Sequence, residues 1–155
     1  MRTRLLVAAV LLASVAVLGT VGCQKIKSRL GIGVTVSEPE PGTPEKVIQD
    51  VLKAATKADE AEGWEAFSNL LHSDETSSPA AMNEWQTMRF PTIRRKAGYL
   101  LQDRSAGIYK LMDKREDGKT VKVFVMNSQS DMPTPCTLRQ DPEAGNAWRV
   151  HNACF

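Results

Sequence analysis

Three cysteines and two histidines hold most of the reactive chemistry open to this chain of 155 residues. Cys136 and Cys154 can pair as a disulfide, or they can join His151 and His72 as zinc ligands. A zinc site read from sequence calls for closely spaced ligands such as CxxC or HxxxH, and neither pattern occurs. A redox-active dithiol calls for the same close spacing. General acid–base work would draw on His72, His151, Asp103, Asp113 and Asp131, with Tyr99 and Tyr109 as hydrogen-bond donors. Such work needs a desolvated group with a partner in reach, which spacing alone does not supply. There is no serine elbow and no glycine-rich phosphate loop. The expectation is a protein that is not an enzyme and uses no cofactor or metal. The alternative is a small pocket isomerase or hydrolase using His or Asp.

Binding residues are the other class. Trp64, Trp85 and Tyr109 can line a ligand cavity, although aromatic residues at core spacing are more often packing. Arg89, Arg94, Arg95 and Lys96 form the densest charge cluster after the N-terminal region and can receive an acidic partner, a phosphate or a lipid head group. Their plainer role is a solvated helix face, and we retain Arg94 and Arg95 as candidate partner contacts beside Trp64, Trp85 and Tyr109.

These side chains must be positioned by helices first and strands later. Thr43-Pro44-Glu45 combines a cap, a first-turn proline and an acid at the positive end of a helix. Val47, Ile48, Val51, Leu52, Ala55 and Ala58 then recur at helical spacing, and Trp64, Phe67, Leu70 and Leu71 repeat the pattern after Gly63 up to His72. There His72 would offset the C-terminal end of the dipole as a cation. The polar run Ser73 to Ser78 closes this region. Ser78-Pro79 starts another helix, which carries Met82, Trp85 and Met88 and stops before Pro91. A short helix with Ile93, Ala97, Leu100 and Leu101 completes the set.

From Gly107 the period falls to two. A strand over Ile108 to Asp113 turns at Asp117-Gly118 into one with Val121, Val123 and Val125 on a single face. Asp131 to Pro135 reads as a prolyl loop. The last hairpin, Cys136 to Asp141 and Ala147 to Cys154, places Cys136 opposite Cys154, Leu138 opposite Asn152 and Gln140 opposite Val150. Directly opposed strand residues stand about 4.5 to 5.5 Å apart, within disulfide range. The expectation is therefore a Cys136–Cys154 bond, with His151 facing solvent on the side opposite Trp148 and Val150.

The N-terminal segment supplies an address. Arg2 and Arg4 precede the fourteen uncharged residues Leu5 to Leu18, and small residues lead to Cys23. This layout resembles the lipobox signals of bacterial lipoproteins, with Thr20 where leucine is usual. The resemblance implies cleavage before Cys23 and lipidation of its thiol. An uncleaved span is the weaker reading, because Leu5 to Val21 offers only seventeen residues. Gln24 is not the aspartate of an inner-membrane retention signal, so the expected location is the outer membrane, facing the periplasm. Residues 1–22 then form the signal, 23–43 a tether with Lys25, Lys27, Arg29 and a Glu-Pro repeat, and 44–155 one domain. Within the tether Ile32, Val34 and Val36 alternate like a short strand, the alternative for that stretch. Removing Arg2 and Arg4 lowers Lys plus Arg from 20 to 18 against 18 acids, a balance that does not favour nucleic acid.

The element order, helices and then a meander ending at Trp148-Arg149-Val150, resembles the nuclear transport factor 2-like fold. That implies an α+β cone with N-terminal helices packed on a curled antiparallel sheet of about four strands; a cystatin-like α+β packing is the alternative. Members of that superfamily hold a pocket between sheet and helices, used for catalysis or binding. No residue here matches the isomerase members' catalytic acids. The functional expectation is a lipid-anchored binding or accessory module for an envelope protein partner or a small apolar ligand.

Overall fold

The computed structural model describes residues 33–155. The expected signal segment, the expected lipidation site Cys23 and most of the expected tether lie outside the described residues. Among those described, no helix is long and apolar enough to cross a membrane.

Helix α1, Pro44–Ala55, begins as its cap requires, with the Thr43 hydroxyl accepting from the Lys46 N–H. Its apolar stripe, Ile48, Val51 and Leu52, is fully buried. Helix α2, Glu60–Ser68, starts before Gly63, because the Asp59 carboxylate caps it through the Glu62 N–H. Gly63 lies inside the helix, where a Cβ would stand 2.8 Å from the Ala54 carbonyl, so its bare backbone lets α2 approach α1. Helix α3, Ser73–Thr76, is a single turn within the polar run.

Ser78 caps α4, Pro79–Glu84. The expected stop before Pro91 is not what forms. The chain continues through a π turn, Trp85–Arg89, into α5, Phe90–Leu100. Proline clashes with the carbonyl four residues back in a regular helix. Here the register widens, with the Phe90 N–H bonding the Trp85 carbonyl, and the Thr92 hydroxyl takes up the Met88 carbonyl at 2.9 Å.

The helices pack on a curled antiparallel sheet, so the α+β expectation holds, with six strands among the described residues rather than about four. They are β1 Val34–Val36, β2 Leu101–Asp103, β3 Ile108–Asp117, β4 Thr120–Asn127, β5 Ser130–Asp141 and β6 Ala147–Cys154. The order is β1-β3-β4-β5-β6, with β2 also on β3. The two extra strands are three-residue pieces from stretches read as tether and helix end, and both are held by pairing to Tyr109 and its neighbours. Strand β5 also runs straight through the expected prolyl loop. The Pro135 carbonyl accepts from the Phe155 N–H, so its side of the backbone faces away from β4. Its missing N–H therefore interrupts no bond of the β4–β5 ladder, and Pro133 falls where the β4–β5 register shifts between the Thr134 and Ser130 pairings.

Cys136 and Cys154 form the expected disulfide, with Cα atoms 3.9 Å apart. The register then slips by two: Leu138 faces Val150 and Gln140 faces Trp148. Asn152, at φ +70°, sits in the resulting bulge. The outer edge of β6 is covered by the segment between α2 and α3. Val150 N–H donates to the Leu70 carbonyl at 2.7 Å, and His72 N–H donates to the Val150 carbonyl at 2.9 Å. An edge closed in this way is not free to pair with another chain.

Candidate functional site

Tertiary packing brings the two histidines together, with ring centroids 5.1 Å apart. His72 does not stand at a helix C-terminus. It is the N-cap of α3, only 2 % exposed, and its Nδ1 accepts from the Asp74 N–H at 3.1 Å. A lone pair on Nδ1 puts the hydrogen of the neutral ring on Nε2, which is enclosed and meets no partner among the described residues. His151 is not free in solvent either. Its Nε2 stands 3.6 Å from Asp74 Oδ2 and 3.9 Å from Glu75 Oε1.

The acids around this pair are committed to backbone and side-chain donors. Glu75 accepts from the Trp85 indole at 2.9 Å and from the Asn152 N–H at 2.6 Å. Asp74 accepts from Arg139 at 3.0 Å. Asp141, itself buried, accepts from the Ser73 N–H and hydroxyl and from the Glu143 N–H. Burial pushes the Asp141 carboxyl up, but the Ser73 and Glu143 donors outweigh it and hold the group below the usual carboxylate range. The result joins α3 to β5, β6 and the π turn.

The remaining acid–base candidates are scattered. Asp103 folds back on Ser105 and Ala106, whose donors, led by the Ser105 hydroxyl, lower its pKa in full exposure to solvent. Asp113 pairs with Arg115 at 2.8 Å. Tyr109 is fully buried, with its hydroxyl donating to the Glu45 carbonyl. Trp85 is buried beside Phe67, which stacks on Phe90 at 4.9 Å, and Trp64 packs against the same pair.

The basic cluster largely clamps backbone. Arg89 lies over the Trp85 ring and donates to the Asn152 carbonyl. Arg94 donates to the Lys57 carbonyl at 3.1 Å, and Lys96 to the Phe155 carbonyl at 2.7 Å. Arg95 reaches the Thr92 hydroxyl on its own helix. Arg89, Arg94 and Lys96 thus satisfy carbonyl groups in the β6 bulge, just past the end of α1 and at Phe155.

Two adjoining depressions lie at the opposite end of α5. One, of about 660 Å³, is lined by Met112, Met126, Asp131, Pro133 and the Asn127–Ser130 turn. The other, of about 330 Å³, lies between the end of α5 and that turn and is lined by Tyr99, Leu101, Gln102 and Met126, among others. Ser128 N–H bonds the Tyr99 carbonyl at 2.9 Å and joins the two. Tyr99 and Met126 are substantially exposed, and Met132 on the same hairpin is 77 % exposed. The chain enters at this end, since a Cβ on Gly33 would stand 2.7 Å from Met112 Sδ.

Of the candidate binding residues, Trp64, Trp85, Arg94, Arg95 and Tyr109 line neither depression. Sequence reasoning passed over Met112, Met126 and Met132, whose signal was weak: Met126 lies on the strand face opposite the buried Val125. It also missed Asp74, Glu75 and Asp141 as a group, because 65 or more residues separate α3 from its partners on β5 and β6. Comparison with protein-family models, with curated proteins and with solved structures finds no match to this chain.

Proposed function

We propose that this chain is a lipid-anchored protein of the bacterial envelope whose domain, of the nuclear transport factor 2-like kind, acts by binding a protein partner at the membrane and not by catalysis. The observation that carries this reading is the contrast between the domain's interior and one of its ends. The space between helices and sheet is filled by Phe67, Trp85, Phe90 and Tyr109, all buried. The exposed Tyr99 and Met126 instead line two depressions, and the exposed Met132 lies between Asp131 and Pro133, which line the larger one. Methionine side chains adapt to irregular apolar surfaces, and contiguous exposed apolar groups mark interaction sites. The anchor supports the choice of partner. Ten Cα–Cα steps lead from Cys23 to Gly33, a reach of at most about 35 Å. A lipid on Cys23 therefore keeps this end of the domain near other membrane-bound proteins and raises their effective concentration.

Native mass spectrometry of the protein taken from its own membranes in mild detergent tests the reading. It expects acyl mass on a chain starting at Cys23, two hydrogens missing for the disulfide, and a further noncovalent mass of protein size. Met126→Asp with Met132→Glu should remove that partner, whereas Met88→Glu, at the far end of α5, should keep it. An unacylated chain, or a bound mass in the range of a small apolar ligand, overturns the proposal.

A further inference from the structure

We propose that His72 and His151 form a proton-operated latch that tightens α3 on the β6 edge with one proton and releases it with two. The pair is faced by Asp74 and Glu75 from α3, by Asp141 and Arg139 from β5, and by no other charged group for which the structure gives a contact. The two imidazoles differ in what a proton would meet. His151 keeps about a quarter of its side chain in solvent, and its Nε2 has the Asp74 and Glu75 carboxylates within 4 Å. A proton there turns two loose polar approaches into ion pairs between β6 and α3, so it tightens the contact.

His72 is the reverse case. Its enclosed ring already carries hydrogen on Nε2, and its Nδ1 lone pair is used by the Asp74 N–H. A second proton, on Nδ1, would set two donors against each other and remove the cap. It would also place a second cation 5.1 Å from the first, in a site closed to water. The Asp74 carboxylate, 3.6 Å away, can attract the new charge only by abandoning the capped geometry. Helix α3 buries no residue of its own, so once the cap is lost it is held only by its polar bonds, those of Ser73 to Asp141 and of Glu75 to Trp85 and Asn152. Release would loosen the Leu70–His72 segment and open the Val150 N–H and carbonyl, the paired groups of the β6 edge. The Asp141 carboxylate keeps its charge throughout, because its donors hold it in the ionised form.

Hydrogen exchange on the full chain in mild detergent, from pH 7.5 down to pH 4.5 and corrected for intrinsic rates, reads this directly. The amides of His72, Asp74 and Val150 should hold or gain protection over the first part of that range and then lose roughly tenfold, while Val123 in the core stays level. His72→Asn retains a cap acceptor without a titrating ring and should abolish the loss. His151→Gln should abolish the gain and leave a single loss. Protection that follows Val123 at every pH in the native protein, or a loss that survives in His72→Asn, overturns the latch. If His72→Asn does not fold, the native profile and His151→Gln still decide.

Discussion

The Tyr109 hydroxyl donates to the Glu45 carbonyl at 2.9 Å, a partly buried bond from the start of β3 to the first turn of α1. It ties the entry of the first helix to β3, the strand that β1, β2 and β4 all pair with. Lys114, five residues further along, reaches the Glu45 carboxylate from the same strand at 3.0 Å.

Replacing Tyr109 by Phe keeps the ring and deletes this bond, and should cost about 1 kcal/mol in urea unfolding at neutral pH. Burial first, and then the Glu45 carboxylate, raise the phenol far above its ordinary range. The unfolded phenol ionises near pH 10, so the contribution is complete below that pH and is lost as pH climbs above it. The native protein should therefore weaken between about pH 10 and 11.5, and Tyr109→Phe should show a shallower alkaline slope. Equal slopes would mean that the phenol is not the group responsible.

Asp141 sets the acid side. Its carboxyl is lowered on folding, so its stabilisation is present above about pH 4 and fades as pH falls through the lowered value. Asp141→Asn removes the charge that Ser73 and Glu143 donate to, and should cost about 2 kcal/mol at pH 7. The difference between the two proteins should shrink towards pH 2 in chemical unfolding, whereas a constant difference would point to packing alone.

Glu75 takes two donors, one from the Trp85 indole and one from the Asn152 backbone. Glutamine has only one oxygen, so one donor would face an amide NH₂, and Glu75→Gln should destabilise by about 1 to 3 kcal/mol. The Trp85 indole N–H resonance should move while that of Trp64, which has no such acceptor here, stays. Unchanged stability and an unmoved Trp85 signal would count against this bridge.

The Cys136–Cys154 bond spans 18 residues of sequence. In the chain-entropy account a loop of that order contributes about 3 kcal/mol. Both residues lie in the core beside Val123, so the paired Cys→Ala variant should fold to the same sheet but unfold at correspondingly lower urea. A variant as stable as the native protein would show that the hairpin closes without the bond.

Short-range chemistry made much of this molecule readable from sequence. The Thr43-Pro44 and Ser78-Pro79 caps, the Val121-Val123-Val125 face and the meeting of Cys136 with Cys154 each depend on neighbours a few residues away or on one hairpin, where periodicity and turn chemistry are decisive. The passage through Pro91 was not readable, because the π turn holds through contacts such as Arg89 with Asn152, across 63 residues. The same holds for β2, a three-residue strand too short to declare itself until β3 pairs with it, whereas the alternation at Val34 and Val36 that forms β1 was legible as the alternative to a tether. His72 shows the division most plainly. Its position after an apolar helix suggested a cation at a C-terminus. The cover it provides over Val150 made it instead a buried cap beside His151, because pairing with the β6 edge bound its backbone and enclosed its ring. Sequence by itself determined which segments are apolar, capped or able to turn, since those properties are local. Tertiary structure alone decided which polar groups share a site, since that depends on which distant segments close the edge of the sheet.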